Sequence, residues 1–501
     1  MRPSQFLKIT LALVGIVLMT HLLSPRSTRI VAADPPPPQS PIPGAGPIFA
    51  PNSSEKVVRA FYEGMAASGH YNLARHWEPA NTATHSGGSG QGDAVVLTWS
   101  IIPDGTPMAG LIVIPGCDSD LQTIFNATYG EGVWQAKIAE IFETQWAGLT
   151  GNLYVHEPND DGAAWPGSPG ELGLRGDIRI GGCAIDGDNG ILAYNLFPNN
   201  GDMRIDSTDS FYAPTVLDTG LFNVVAHEHG HGSGVMHVCP TDETKLMEPF
   251  LTFSFIGMQH DDIRAAQRQY GDRYESADNG STFTRTDNDS AATASDLALA
   301  SVGTVTTLQH VSIDDDADQD FFRISLPSDV ILQSLSLQPI GFQYEDGDQS
   351  LLTGQCQPGT LIDSKLVHDL DLQLLDSDGT TVLATADDAP AGEPETLSDL
   401  PLSMGDKYIR IYPSSSTDDI QLYELELLLI PASGPTATAT APGTPTLSPT
   451  PEATATLTPP ASAIEFEGLQ THSRSNHSWL IALLGLTLTG ATLLVAERRR
   501  R

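Results

Sequence analysis

The residues best able to do chemistry lie in one stretch, His227-Glu228-His229-Gly230-His231-Gly232-Ser233-Gly234-Val235-Met236-His237. It contains HExxH and extends to HExxHxxGxxH. Residues four apart share a face of a helix, so His227 and His231 point the same way with Glu228 beside them. Gly234 can end that helix, because glycine accepts positive φ without steric cost. The chain can then turn and bring His237 back toward the other two. Three neutral imidazoles make a catalytic zinc site with a fourth position left for water. Glu228 is placed to take a proton from that water. HExxH alone recurs by chance in glycine-rich polar loops. The extended form, with three of its fixed positions a scarce residue type, argues for zinc hydrolase chemistry.

The 501 residues carry 25 Lys and Arg against 62 Asp and Glu, a net charge of −37. Nucleic acid is excluded as a partner, because phosphate binding needs a basic surface. Such acidity fits a soluble exported body, with calcium sites as one use of the carboxylates and solubility alone as the other. Cys117, Cys183, Cys239 and Cys356 are too few for a disulfide scaffold. They allow one or two bridges whose pairing the sequence does not give.

The N-terminus reads as an export signal over 1–33. Arg2 and Lys8 precede an apolar Leu11 to Leu23, and Val31-Ala32-Ala33 supplies small residues for cleavage. An uncleaved anchor is the alternative. Residues 34–93 read as a Pro-rich, extended spacer to about Ser53 with no fold of its own, then as a short pro-segment or an N-terminal extension of the next domain. At the other end, 479–496 is apolar and free of charge, and 497–501 is mostly arginine. That is the pattern of a transmembrane helix with a basic cytoplasmic tail, which places the body outside the cell and anchors it to the membrane. Residues 431–463 are Thr/Pro/Ala-rich and read as a disordered stalk.

Between these ends the pattern predicts two folded parts. Over 94–273 it is α/β. Strands are predicted near 95–102, 153–155, 177–180, 191–197 and 202–205. Helices are predicted over 133–146, 221–231 and 260–270. Over 275–430, short alternating strands at regular spacing predict an all-β sandwich.

The α/β part resembles the matrixins, the metzincin zinc proteases of the matrix metalloproteinase type. Lys245-Leu246-Met247-Glu248-Pro249 is similar to the family's Met-turn. Gln259 to Gly271 is similar to its last helix, and Asp186 to Pro198 and Arg204 to Asp209 are similar to its upstream blocks. The resemblance implies a twisted mixed sheet, a zinc helix, and Met247 as an apolar floor beneath the metal. It implies Zn2+ held by His227, His231 and His237, Glu228 as general base, and protein or peptide substrates. It also implies a structural Ca2+ at Asp186, Asp206 and Asp209, with ordinary turn aspartates as the rival reading. Where matrixins commonly hold a second zinc through histidines, this chain has Arg179, Tyr194 and Arg204, so that ion is not expected in its usual form. Cys117, in Pro115-Gly116-Cys117-Asp118, is only faintly similar to the latency cysteine of matrixin pro-segments and reads as structural. Cys239 reads as a bridge beside the site. The 275–430 part resembles the pre-peptidase C-terminal domain, which implies an accessory role; its run Asp314 to Asp320 reads as a solvated acidic loop or a calcium loop.

The function expected is an exported, membrane-tethered zinc metalloendopeptidase. The rival is a surface adhesin on a degenerate metzincin scaffold, to which the missing structural-zinc histidines lend weight and the intact Glu228 and histidine set do not.

Overall fold

The computed structural model describes residues 45–51, 73–111, 114–275, 287–297, 301–350 and 354–432. The expected signal, the stalk beyond 432, the apolar run 479–496 and the basic tail lie outside them. Among the described residues no helix is long and apolar enough to cross a membrane.

The α/β part is built on a mixed sheet. Its strands are β1 (Ala45–Phe49), β2 (Val96–Ile101), β3 (Leu153–His156), β4 (Ile178–Gly182), β5 (Ile191–Leu196) and β6 (Met203–Ile205). Their spatial order is β1-β5-β6-β4-β2-β3. β3, β2, β4 and β6 run parallel, whereas β5 is antiparallel to β6 and β1 is antiparallel to β5. Helices α1 (Leu121–Tyr129), α2 (Val133–Ile141), α3 (Phe222–Gly232) and α4 (His260–Tyr270) complete the part. Every residue of α3 is buried, which is why its sequence shows no polar stripe. Its apolar residues join Trp99, Phe125, Trp134 and Ile138 in one core cluster.

The first strand corrects an expectation. Ala45–Phe49 falls inside the stretch read as a spacer without fold, yet it pairs along the whole of β5. Proline content argued for an extended segment, and extended it is. Composition could not reveal an unpaired edge strand some 145 residues away to receive it. Residues 73–93 pack on the same part: Trp77 is buried and its indole N–H donates to Gly232 O at 2.7 Å.

The second part is a sandwich of two sheets. Its strands are β7 (Val238–Cys239, contributed by the first part), β8 (Val305–Ile313), β9 (Asp320–Leu326), β10 (Val330–Ile340), β11 (Gln343–Asp348), β12 (Thr360–Asp363), β13 (Leu370–Leu375), β14 (Val382–Ala386), β15 (Glu395–Leu402), β16 (Gly405–Pro413) and β17 (Gln421–Pro431). One sheet contains β9-β16-β13-β14 and the other runs β8-β17-β10-β15. Their inner faces bury Phe322, Leu332, Leu372, Ile409 and Leu425 together. The β11–β12 hairpin reaches out of the sandwich, and β11 pairs with β7 through Gly347 opposite Cys239 and Asp348 opposite Val238.

The two parts share polar contacts along α4. Arg264 donates to the Tyr344 hydroxyl at 2.7 Å, His260 meets Ser364 Oγ at 2.9 Å, and Gln267 donates to His310 O at 2.7 Å. Nearby, Asp272 accepts Ser312 N at 2.9 Å beside the buried Glu275, Asp318 and Asp320. Burial, and then the neighbouring carboxylates, push Glu275, Asp318 and Asp320 well above the usual carboxylate range, and burial pushes Asp272 up to about 6. Folded protein therefore holds protons here that the unfolded chain releases. The stability this gives is full below pH ~4, the ordinary range of an unfolded carboxyl, and is lost as pH rises through 6 and beyond. The buried histidines of the fold act in the opposite sense, so the carboxyls are read from a difference: in chelator, the thermal midpoint of Asp318→Asn relative to the wild type should rise between pH 5 and pH 8. A difference that stays constant or falls over this range would contradict the assignment.

Candidate metal centre

The helix α3 places His227 and His231 on one face, as their spacing requires. His229, two residues from each, turns instead into an aromatic box of Phe142, Trp146 and Tyr154, where its Nε2 meets the Tyr154 hydroxyl at 2.8 Å. The helix ends at Gly232 and Ser233. Gly234 then adopts φ 89°, with Arg75 O only 2.3 Å from where a Cβ would stand, so a side chain is excluded twice over. That turn returns His237 to the other two.

The three Nε2 atoms lie 3.1 Å from one another in every pair. These contacts are not hydrogen bonds. Each Nδ1 already has an acceptor: Leu246 O at 2.7 Å for His227, Val235 O at 2.8 Å for His231, and Gln349 Oε1 at 2.6 Å for His237. With Nδ1 carrying the proton, all three Nε2 present lone pairs to one point. Burial keeps the rings neutral, driving His227 and His231 well below the ordinary imidazole range and His237 to about 4. Converging lone pairs repel unless a cation lies between them. Tetrahedral zinc with Zn–N of about 2.0–2.1 Å asks for N···N separations of roughly 3.3–3.4 Å, close to those found. The donor set fits the metal.

Met247 lies beneath. A Cβ on Gly230 would stand 2.4 Å from Met247 Sδ, so the glycine makes room for the methionine. The turn bearing Met247 is held by Asp262 of α4, which accepts Leu246 N at 2.7 Å and Met247 N at 2.9 Å while also accepting Gln259 N at its own helix start.

Glu228 is fully buried, which raises its carboxyl well above the usual range. Its Oε1 accepts Ile48 N at 2.8 Å, and Oε2 has no hydrogen-bond partner. A carboxyl with one free oxygen beside a metal-type cage is able to hold and move a proton.

Asp186, Asp206 and Asp209 adjoin one another, but their oxygens do not gather into one cluster; each is occupied by backbone N–H groups, for example Ile191 on Asp186, Ile185 on Asp206 and Asn189 on Asp209. Among the described residues, a second set whose oxygens do come within 4.8 Å is Glu275, Asp289 and Asp318. The positions that lack histidines are filled differently. Arg179 makes a buried two-point contact with Asp160, at 2.6 and 2.8 Å. Arg204 lies over the Tyr194 ring and donates to Pro115 O and Ala184 O. Cys117 is bonded to Cys183 beside them. An ion pair, a cation–π contact and a disulfide thus tie these loops together.

Gln349 is the site residue that sequence reasoning missed. It lies 112 positions from His237, in the sandwich arm, and is fixed there by β11 and by the Cys239–Cys356 disulfide. No local motif marks it. Removing such an outer partner typically weakens metal binding 10–100-fold. Gln349→Leu should do so in competition with a chromophoric chelator, and unchanged affinity would show the contact to be incidental.

Residues 176–271 match the family profile of the matrixins. The hatching enzyme of Paracentrotus lividus is 34% identical over 105 residues, 19% of this chain and 18% of that protein. Stromelysin-3 of Mus musculus is 38% identical over 91 residues, 17% of this chain and 18% of that protein. Interstitial collagenase of Bos taurus is 37% identical over 102 residues, 20% and 21% of the two chains. The chain spans about a fifth of the length of the curated relatives it matches. The profile match falls on the histidine cage, its methionine floor and the strands beside it, so residues 176–271 form a matrixin-like domain.

Proposed function

We propose that the protein is an exported, membrane-tethered zinc metalloendopeptidase. The observation that carries the peptidase reading is the convergence of three Nδ1-anchored imidazoles beside the half-satisfied carboxyl of Glu228. His227, His231 and His237 would hold zinc, which when bound would supply Lewis acidity for a water and for the carbonyl of the bond to be cut. Glu228 takes the proton from the water and delivers it to the departing amine. The buried surroundings strengthen both interactions. Substrate peptides add along the edge of β5, where backbone groups supply affinity and side chains supply choice.

Export and tethering rest on the sequence of 1–33 and 479–496. The sandwich is read as an accessory domain that also completes the metal centre through Gln349. Calcium enters as a structural ion at Asp186, Asp206 and Asp209. Burial, and the charges of Asp206 and Asp209, push Asp186 up to about 6, a crowding that a divalent cation relieves. The adhesin alternative draws on Arg179, Tyr194 and Arg204, but an intact general base and cage are not needed for adhesion.

Two measurements test the reading. One zinc per chain should be found. Peptide hydrolysis, measured with β1 displaced by Ile48→Asp and Phe49→Asp, should drop by about 10²–10⁴-fold on adding Glu228→Gln while zinc is retained. Undiminished hydrolysis would refute the role of Glu228. Calcium should raise the thermal midpoint, and Asp186→Asn should diminish that rise.

A further inference from the structure

The strand β1 does more than extend the sheet. It lies between the edge strand β5, to which it is antiparallel, and residues 249–251, with which Phe49 pairs in parallel at Phe250. Its backbone is gripped on both sides. Phe49 N donates to Pro249 O at 3.1 Å and Phe49 O accepts Leu251 N at 3.1 Å; Ala50 N donates to Gly190 O at 2.9 Å. Ile48 is buried in the apolar cluster that includes Leu192, Val224 and Leu251. Phe49 is buried with Ile185 and Ile191, its ring 6.0 Å from that of Phe250.

The chain direction matters most. The Pro47 carbonyl meets the His237 ring, and the next amide, Ile48 N, donates to Glu228 Oε1 at 2.8 Å. One peptide bond therefore has its carbonyl at the histidine cage and its nitrogen on the general base. A segment lying the other way would exchange the two ends.

We infer that Pro47–Ile48 is a self-processing site: the chain presents this bond to its own metal centre and hydrolyses it. This rests on the peptidase reading above. Water adds across the bond. Its oxygen joins the Pro47 carbonyl carbon, the C–N bond breaks with its electron pair going to the Ile48 nitrogen, and Glu228 carries the proton from the water to that nitrogen. The products are a carboxylate at Pro47 and an amine at Ile48, with no change of oxidation state. Until the cut, the segment blocks the cleft.

The test uses the full chain, prepared zinc-free and then loaded with zinc. Intact mass and N-terminal sequencing should reveal a new N-terminus at Ile48 that accumulates at a rate independent of protein concentration, and Glu228→Gln should remain uncut there. A measurement without turnover accompanies it. A fluorescent peptide of residues 43–51 should bind the Glu228→Gln chain at least ten-fold more weakly than a chain that also carries Ile48→Asp and Phe49→Asp. Equal binding by the two would overturn the seating. Hydrolysis of added peptide by the Ile48→Asp, Phe49→Asp chain, with Pro47–Ile48 of the wild type left intact, would overturn self-processing and leave the peptidase reading standing. Hydrolysis by no form, with the binding difference preserved, would overturn the peptidase reading and the cleavage with it.

Discussion

Three imidazole nitrogens can point at one metal only if each ring is held from behind, because a histidine that is free to rotate has no reason to spend its time facing two others. The three holds come from three distant places. Leu246 O belongs to the methionine turn, Val235 O to the glycine turn after the helix, and Gln349 Oε1 to an arm of the sandwich domain. Each acceptor fixes the tautomer as well as the ring angle, so that the lone pairs converge and the protons do not. The rest of the α/β part serves to keep those acceptors still.

Asp262 shows how. Its carboxylate receives two amides of the methionine turn and one at the start of α4. The same helix offers Arg264 and Gln267 to the sandwich. One helix therefore couples the floor of the metal centre to the domain that supplies the third hold. The sandwich is accessory in sequence position but not in geometry, and its disulfide from Cys356 to Cys239 lies two residues from His237. On the far side of the sheet, Arg179 with Asp160 and Arg204 over Tyr194 hold the loops together. A bidentate guanidinium pair, fully buried and supplied with carbonyl acceptors, gives a fixed geometry without an ion.

The edge of β5 is the other constraint. An edge strand exposes unpaired amides and carbonyls, which can pair with any extended backbone laid beside them. The same exposure invites the chain's own segment. Ala45–Phe49 is extended, almost wholly apolar, and long enough to satisfy the edge from Leu196 back to Ile191. Occupied in this way, the cleft is closed to other peptides.

The sequence by itself determined the elements whose logic is local. HExxHxxGxxH specified a helix, a glycine turn and a third histidine, because periodicity and positive φ are written in adjacent residues. Hydrophobic runs placed β2, β4, β5 and α4 to within a residue or two, and alternation announced a sandwich. The tertiary structure decided everything that depended on distant partners. Gln349 had no motif, since its role exists only where the arm meets β7. The cysteine pairing depended on which loops came together. Ala45–Phe49 read as a spacer because composition reports flexibility in isolation, whereas an unpaired strand edge and a buried carboxyl some 180 residues away gave it a fixed place. Asp186, Asp206 and Asp209 matched by position, and which backbone amides their oxygens also accept is settled only by the folded loops.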